Sequence, residues 1–167
     1  MSDLPGRSVG ESASTLSEIA LPNDANPLGT LFGGKLMQWV DLAASMAAAR
    51  HARSHVVTAS VDSMTFLQPI RIGQLVVLKS AVNRVFRSSM ELGVKVFVED
   101  FATGDVKHVS SAYLTFVALD KDRNRVAIPP IVPGTKDEHR RFEEAGERRD
   151  YRLQMRQRAI ERDRASG

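Results

Sequence analysis

Residues 35–50, KLMQWVDLAASMAAAR, contain neither glycine nor proline and hold five alanines. This stretch predicts one long helix from Lys35 to Arg50. Leu36, Val40, Ala43, Ala47 and Arg50 recur at spacings of three and four, the period of a helix that buries one face. The chain then changes period. Val56 to Phe66 is expected as a strand with Val57, Ala59, Val61 and Ser63 on one face, and Leu75 to Phe86 as a second. Met90, Leu92, Val94, Val96 and Val98 alternate with Glu91, Gly93, Lys95, Phe97 and Glu99, the pattern of a half-buried strand. His108 to Leu119 closes the series, with Ser110, Ala112, Leu114, Phe116 and Ala118 on one face. A short first strand is expected over Leu16 to Leu21. Connections this tight join antiparallel neighbours, so the expectation is an α+β domain with one helix on one face of one sheet. A single helix covers only part of such a sheet. The uncovered edge and face call for an oligomer.

Flanking segments read differently. Residues 1–15 are rich in serine and glycine and are expected to be disordered. The folded domain is assigned to 16–134, ending in a proline-rich exit from Asp120 to Pro133. Residues 135–167 form a charged helix or tail. The net charge of +3 is unevenly placed, with 13 basic and 12 acidic side chains in residues 1–134 and 10 and 8 in residues 135–167. Mixed signs at i,i+4 spacing predict a solvated helix for that tail. The interleaved acids oppose phosphate binding, so no nucleic-acid partner is expected from the arginines between Arg148 and Arg164. The 43% hydrophobic content fits a globular core. The absence of cysteine excludes a disulfide scaffold, a thiol nucleophile and any Cys-ligated metal. No apolar run is long enough to span a bilayer, and the first 15 residues lack a signal-peptide core. A cytoplasmic protein with no membrane partner is therefore expected.

Three places are candidates for chemistry, though the glycine pair also reads as a tight turn before a helix and the arginine–serine turn as a polar hairpin. Pro22 to Gly34 is a turn-rich loop that ends in Gly33-Gly34 at the start of the helix, where free N–H groups favour a phosphate or an oxyanion. Asp41 lies mid-helix on a stripe with Lys35, Gln38 and Ser45, far from any benefit of the helix N-terminus, so it reads either as part of a solvated face or as one wall of a cleft. Arg87-Ser88-Ser89 sits at a turn between two strands and offers a cation, hydroxyls and turn amides to a phosphate. His51 and His55 have i,i+4 spacing, but the helix is expected to end near His51 and no third ligand is evident, so no metal is expected.

The blocks PNDANPLGTLFGGKLMQWVDLAA, VTASVDSMTFLQPIRIGQLV and FRSSMELGVKV, in this order, resemble the hotdog-fold acyl-CoA thioesterases, above all the cytosolic acyl-CoA hydrolases and their bacterial relatives. The resemblance covers roughly residues 16 to 120. It implies an antiparallel sheet of five or six strands wrapped around one central helix, and hydrolysis of acyl-CoA to a free acid and CoA without a further cofactor. It assigns the catalytic aspartate to Asp41 and the loop asparagine to Asn26. The amides of Gly33 and Gly34 become the oxyanion hole, and Thr58, Arg87, Ser88 and Ser89 contact substrate and CoA. The family's turn reads Gly-Arg-Ser-Ser where this chain has Phe86-Arg87-Ser88-Ser89. The resemblance also implies a homodimer with active sites at the interface, assembled as a trimer of dimers. Asp41 then acts as general base on water or attacks the carbonyl directly to form an anhydride. Two other readings compete. One is an acyl-CoA-binding protein without turnover. The other is a hotdog enoyl-CoA hydratase, whose Asp-x-Asn-Pro-Leu-His signature is matched up to Leu28, with Gly29 in place of the histidine.

Overall fold

The computed structural model describes residues 4–165. Their elements are β1 (Arg7–Ser8), β2 (Ser14–Ile19), α1 (Gly33–Ala52), β3 (His55–Phe66), β4 (Leu75–Val85), β5 (Ser89–Glu99), β6 (Val106–Leu119), β7 (Ile131–Val132) and α2 (Lys136–Ala165), with short 3-10 turns at Val9–Glu11 and Pro22–Asp24. Five strands form one antiparallel sheet in the order β2-β4-β5-β6-β3. Helix α1 packs on its inner face. This is the hotdog arrangement expected from the sequence.

The alanines explain the wrap. Ala43, Ala44, Ala47 and Ala48 are fully buried, with Leu36, Trp39 and Val40 beside them, so the helix backbone lies close to the sheet. Ser80 Oγ on β4 donates to the Ala43 carbonyl at 2.6 Å. The inner sheet face supplies Val76, Leu78, Leu92, Val94, Leu114 and Phe116, each fully buried aliphatic or aromatic group contributing about 1.5–3 kcal/mol. The helix ends where Arg53 turns left-handed at φ 54°. His55 therefore belongs to β3 and does not share a helix face with His51. Among the described residues no helix is long and apolar enough to cross a membrane.

Three expectations are corrected. First, residues 4–15 are ordered. Ser8 and Glu11 bond to each other across a 3-10 turn, β1 pairs in parallel with β7, and Val9, Ser12 and Ser14 are buried. The expected disorder of Met1 to Asp3 lies outside the described residues. Second, the charged tail is a helix, but its first half is docked rather than solvated. Thr135 and Glu138 form a capping box at its start. Ala145 is buried, and the Arg84 guanidinium lies 4.2 Å from the Phe142 ring. Arg148 grips Glu91 on β5 through two hydrogen bonds of 3.0 and 2.8 Å, and Arg152 donates to Asp62 on β3 at 2.6 Å. Third, β3 does not alternate simply. Its pairing with β6 skips Ala59 and Asp62, two β-bulges that each shift the side-chain phase by one. Val57 and Ser63 consequently share the outer face while Val61 points inward.

His51 shows how the N-terminal segment is held. The imidazole is fully buried, 2.9 Å from the Pro129 carbonyl and 3.4 Å from Ser12 Oγ, and the Arg7 side chain donates to the His51 carbonyl. Burial is the main cause that holds its pKa below the usual 6.5. The Pro129 carbonyl and Glu11 oppose the shift and Arg7 reinforces it. The unfolded chain therefore takes up the proton first. Stability from this site is present above pH 6.5 and is lost as the pH falls below it. Thermal melts between pH 7.5 and 5.5 should show this decline, and His51→Gln should flatten it.

Candidate active site

The loop before α1 is organised by one side chain. Asn26 Oδ1 accepts from the backbone N–H groups of Leu28 and Thr30 at 2.9 and 3.2 Å, and its Nδ2 donates to Thr30 Oγ1 at 2.9 Å. The turn it closes requires a positive φ at Gly29, 76°. Leu31 N–H bonds the Ile70 carbonyl and Phe32 N–H bonds the Asp24 carbonyl, both at 2.8 Å, which ties the loop to the β3–β4 connection and to its own first turn and delivers the chain into the helix. Asp24 pairs with Lys35 at 3.3 Å. Thr30, the hydroxyl that anchors Asn26, was not singled out in the sequence, where nothing marks it apart from its neighbours.

Gly33 and Gly34 open the helix. Lys35 and Leu36 both donate to the Phe32 carbonyl, while the N–H groups of Gly33 and Gly34 find no acceptor among the described residues, as expected for a first helical turn. A Cβ at Gly33 would make only ordinary contact with the Phe66 ring at 3.7 Å, whereas one at Gly34 would run into the Phe32 ring. At Gly34 it is the exposed Phe32 ring that occupies the place of a side chain.

Asp41 is half-buried on α1, and Thr58 Oγ1 donates to its Oδ1 at 2.6 Å. Thr58 points toward the helix because it pairs with Phe116, a core residue on the inner face. The hydroxyl occupies one carboxylate oxygen and leaves the other open.

Phe86, Arg87 and Ser88 form the turn between β4 and β5, and Ser89 opens β5. The Arg87 and Ser88 carbonyls accept from Ile128 and Ala118 at 3.0 Å, so the turn is anchored, and the Arg87 side chain is exposed. Phe86, in place of the family's glycine, carries the Arg149 guanidinium 4.4 Å from its ring. The hairpin is thus more basic than its sequence suggests.

One protomer does not bring these groups together. Gly34 and Asp41 are seven residues apart on one helix, about 10 Å along its axis. No hydrogen bond joins Asn26 to Asp41 among the described residues. The hairpin and the Asn26 loop sit at opposite ends of β4, whose 11 residues span about 33 Å.

Residues 28–104 match the thioesterase superfamily model. The acyl-CoA thioester hydrolase YkhA of Bacillus subtilis is 49% identical over 117 residues, 70% of this chain and 68% of that protein. This chain belongs to the hotdog acyl-CoA thioesterase family. In three dimensions the thioesterase is similar to an acyl-CoA hydrolase of Staphylococcus aureus solved with butyryl-CoA, CoA and CoA disulfide (TM-score 0.89, 32% identity, covering 96% of this chain and 98% of that one). That enzyme is also known as single alanine variants of an asparagine, an aspartate and a threonine, spaced along its chain as Asn26, Asp41 and Thr58 are here. A hexameric acyl-CoA thioesterase superimposes with a TM-score of 0.88 at 34% identity, over 91% of this chain and 97% of that one. Mammalian relatives are longer. The chain spans 25% of mouse acetyl-coenzyme A thioesterase, to which it is 38% identical over 139 residues.

Proposed function

We propose that this thioesterase hydrolyses acyl-CoA to a carboxylic acid and CoA at a site shared by two copies of the chain. One copy supplies Asn26 and the amides of Gly33 and Gly34, and the other supplies Asp41 and Thr58. The observation that carries this reading is the separation of about 10 Å between the free amides and Asp41 along one helix. An oxyanion donor and a base must each lie about 3 Å from atoms of the same reacting group, so the pair within one copy cannot serve one carbonyl. Exposed apolar side chains flank the same surface, with Phe32, Met37 and Leu42 on or beside α1 and Val61 and Phe66 on edge strand β3. A second copy would bury them and end the open edge.

The chemistry follows from the groups. The thioester carbonyl lies against the Gly33 and Gly34 amides. Asp41, held by Thr58, takes a proton from a water whose oxygen attacks the carbonyl carbon, and the amides stabilise the resulting oxyanion, an effect worth roughly 10²–10³ in rate per donor. Collapse of the intermediate re-forms the carbonyl and breaks the C–S bond. The CoA thiolate leaves and is protonated. Asn26 positions the water or the carbonyl. Arg87, Ser88 and Ser89 hold CoA phosphate through charge-assisted hydrogen bonds. The scheme calls on no metal or resident cofactor. Three such dimers complete the assembly we propose.

Complementation tests the shared site. Asn26→Ala and Asp41→Asn should each abolish thiol release from a panel of short, medium, long and aryl acyl-CoAs. Random mixing of the two chains by co-refolding should restore about a quarter of the wild-type sites, because half the dimers are mixed and each holds one intact site. No recovery in verified mixed dimers would place the whole site within one chain and sink the proposal.

A further inference from the structure

Edge strand β3 carries Thr58 and, among the described residues, pairs with β6. Two bulges lie just beyond Thr58, at Ala59 and Asp62. Each bulge shifts the side-chain phase by one, so the loss of one turns the residues on one side of it to the opposite face. Thr58 would then leave Asp41 for the outer surface.

Asp62 is the point where β3 is pinned. Its side chain is 9% exposed and takes three donors: Ser60 Oγ at 2.6 Å on Oδ1, then Thr115 Oγ1 of β6 at 2.8 Å and Arg152 Nη1 of α2 at 2.6 Å, both on Oδ2. Ser60 lies between the two bulges and Thr115 is its partner across the ladder. The carboxylate therefore ties the bulged segment to both its neighbouring strand and the C-terminal helix. Arg152 is in turn set by Arg148, one turn earlier on α2 and locked onto Glu91 and over the Tyr113 ring at 3.8 Å.

We infer that Arg152 is a positioning residue for hydrolysis: by pinning the Asp62 bulge it holds β3 in the register that aims the Thr58 hydroxyl at Asp41. Arg152 acts through Asp62, from the opposite face of the sheet. The inference rests on the proposed role of Asp41 as base.

Arg152→Gln keeps a hydrogen-bonding side chain but removes the charge that anchors Asp62. It should lower kcat about tenfold, within what small misplacement of a reacting group costs, with KM changed less than about twofold because substrate contacts remain. Arg152→Lys should restore most of kcat. A coupling test separates positioning from mere stability. In a Thr58→Val background, where no hydroxyl remains to be aimed, Arg152→Gln should lower kcat by less than about twofold further. Should Arg152→Gln fail to fold, Asp62→Asn, which keeps the shape and weakens the same anchor, is read in the same two backgrounds. Wild-type kcat in a folded variant, or equal losses with and without the Thr58 hydroxyl, would overturn the inference. Asp41→Asn assayed alongside keeps the outcomes distinct. If it retains activity, the reading of Asp41 fails. If it is inactive while Arg152→Gln is unimpaired, only the role of Arg152 fails.

Discussion

Asp41→Asn is expected to lower kcat by about 10²–10⁴, or roughly 3–5 kcal/mol in the barrier. The amide keeps the shape of the carboxylate, and its oxygen still accepts from Thr58, so the site remains assembled. What it loses is the capacity to take a proton from water or to attack as a nucleophile. KM should move little, because in the proposed site this side chain faces water rather than the acyl or CoA moiety. The thermal midpoint should also stay close to wild type, since Asp41 is half-buried and supports no packing that asparagine cannot supply. Steady-state thiol release, read beside a melt of the same preparation, checks all three. Near-normal turnover would remove the general-base route and the anhydride route together. A chain without cysteine offers no thiol in their place.

Arg148→Met should be the most damaging single change to stability, costing about 3–5 kcal/mol. Glu91 is 1% exposed on the outer face of the sheet. Its partners are Arg148 and the Asn83 amide, which donates to Oε1 at 3.0 Å. Without the guanidinium the carboxylate stays buried beside a single neutral donor. The loss is therefore the cost of stranding a charge, more than the value of the pair. Converting the acid as well, Glu91→Gln with Arg148→Met, should recover much of the stability, because a buried pair seldom contributes more than the uncharged groups that replace it. Urea unfolding of the two variants decides the matter. If the double variant were no better than the single one, the grip itself rather than the stranded charge would be what holds α2.

The central helix and strands β4, β5 and β6 were legible because each repeats a local period over ten residues or more, and burial of one face obeys that period; β3 was legible as a strand but not in which side chains share a face. Thr58 and Asn26 came with the family resemblance. Their reasons appeared only when Thr58 was seen bonded to Asp41, and Asn26 to the loop it closes. The N-terminal segment was misread because its burial depends on His51 and Ile131, which no nearby residue announces. The same holds for α2. Its charge pattern along one face is that of a solvated helix, and the acids that receive Arg148 and Arg152 lie on β5 and β3. The bulges at Ala59 and Asp62 left no mark at all, since a strand with two compensating insertions keeps the composition of a regular one.

The pairing of Arg7–Ser8 with Ile131–Val132 acts on time as well as on shape. It clasps the two ends of the domain across nearly its whole length, beside the buried His51. A contact between such distant parts of the chain forms after the local hairpins have closed. Its strength is then spent on the way out of the native state, not on the way in. A weakened clasp shortens the lifetime of the folded chain while the speed of folding stays nearly the same.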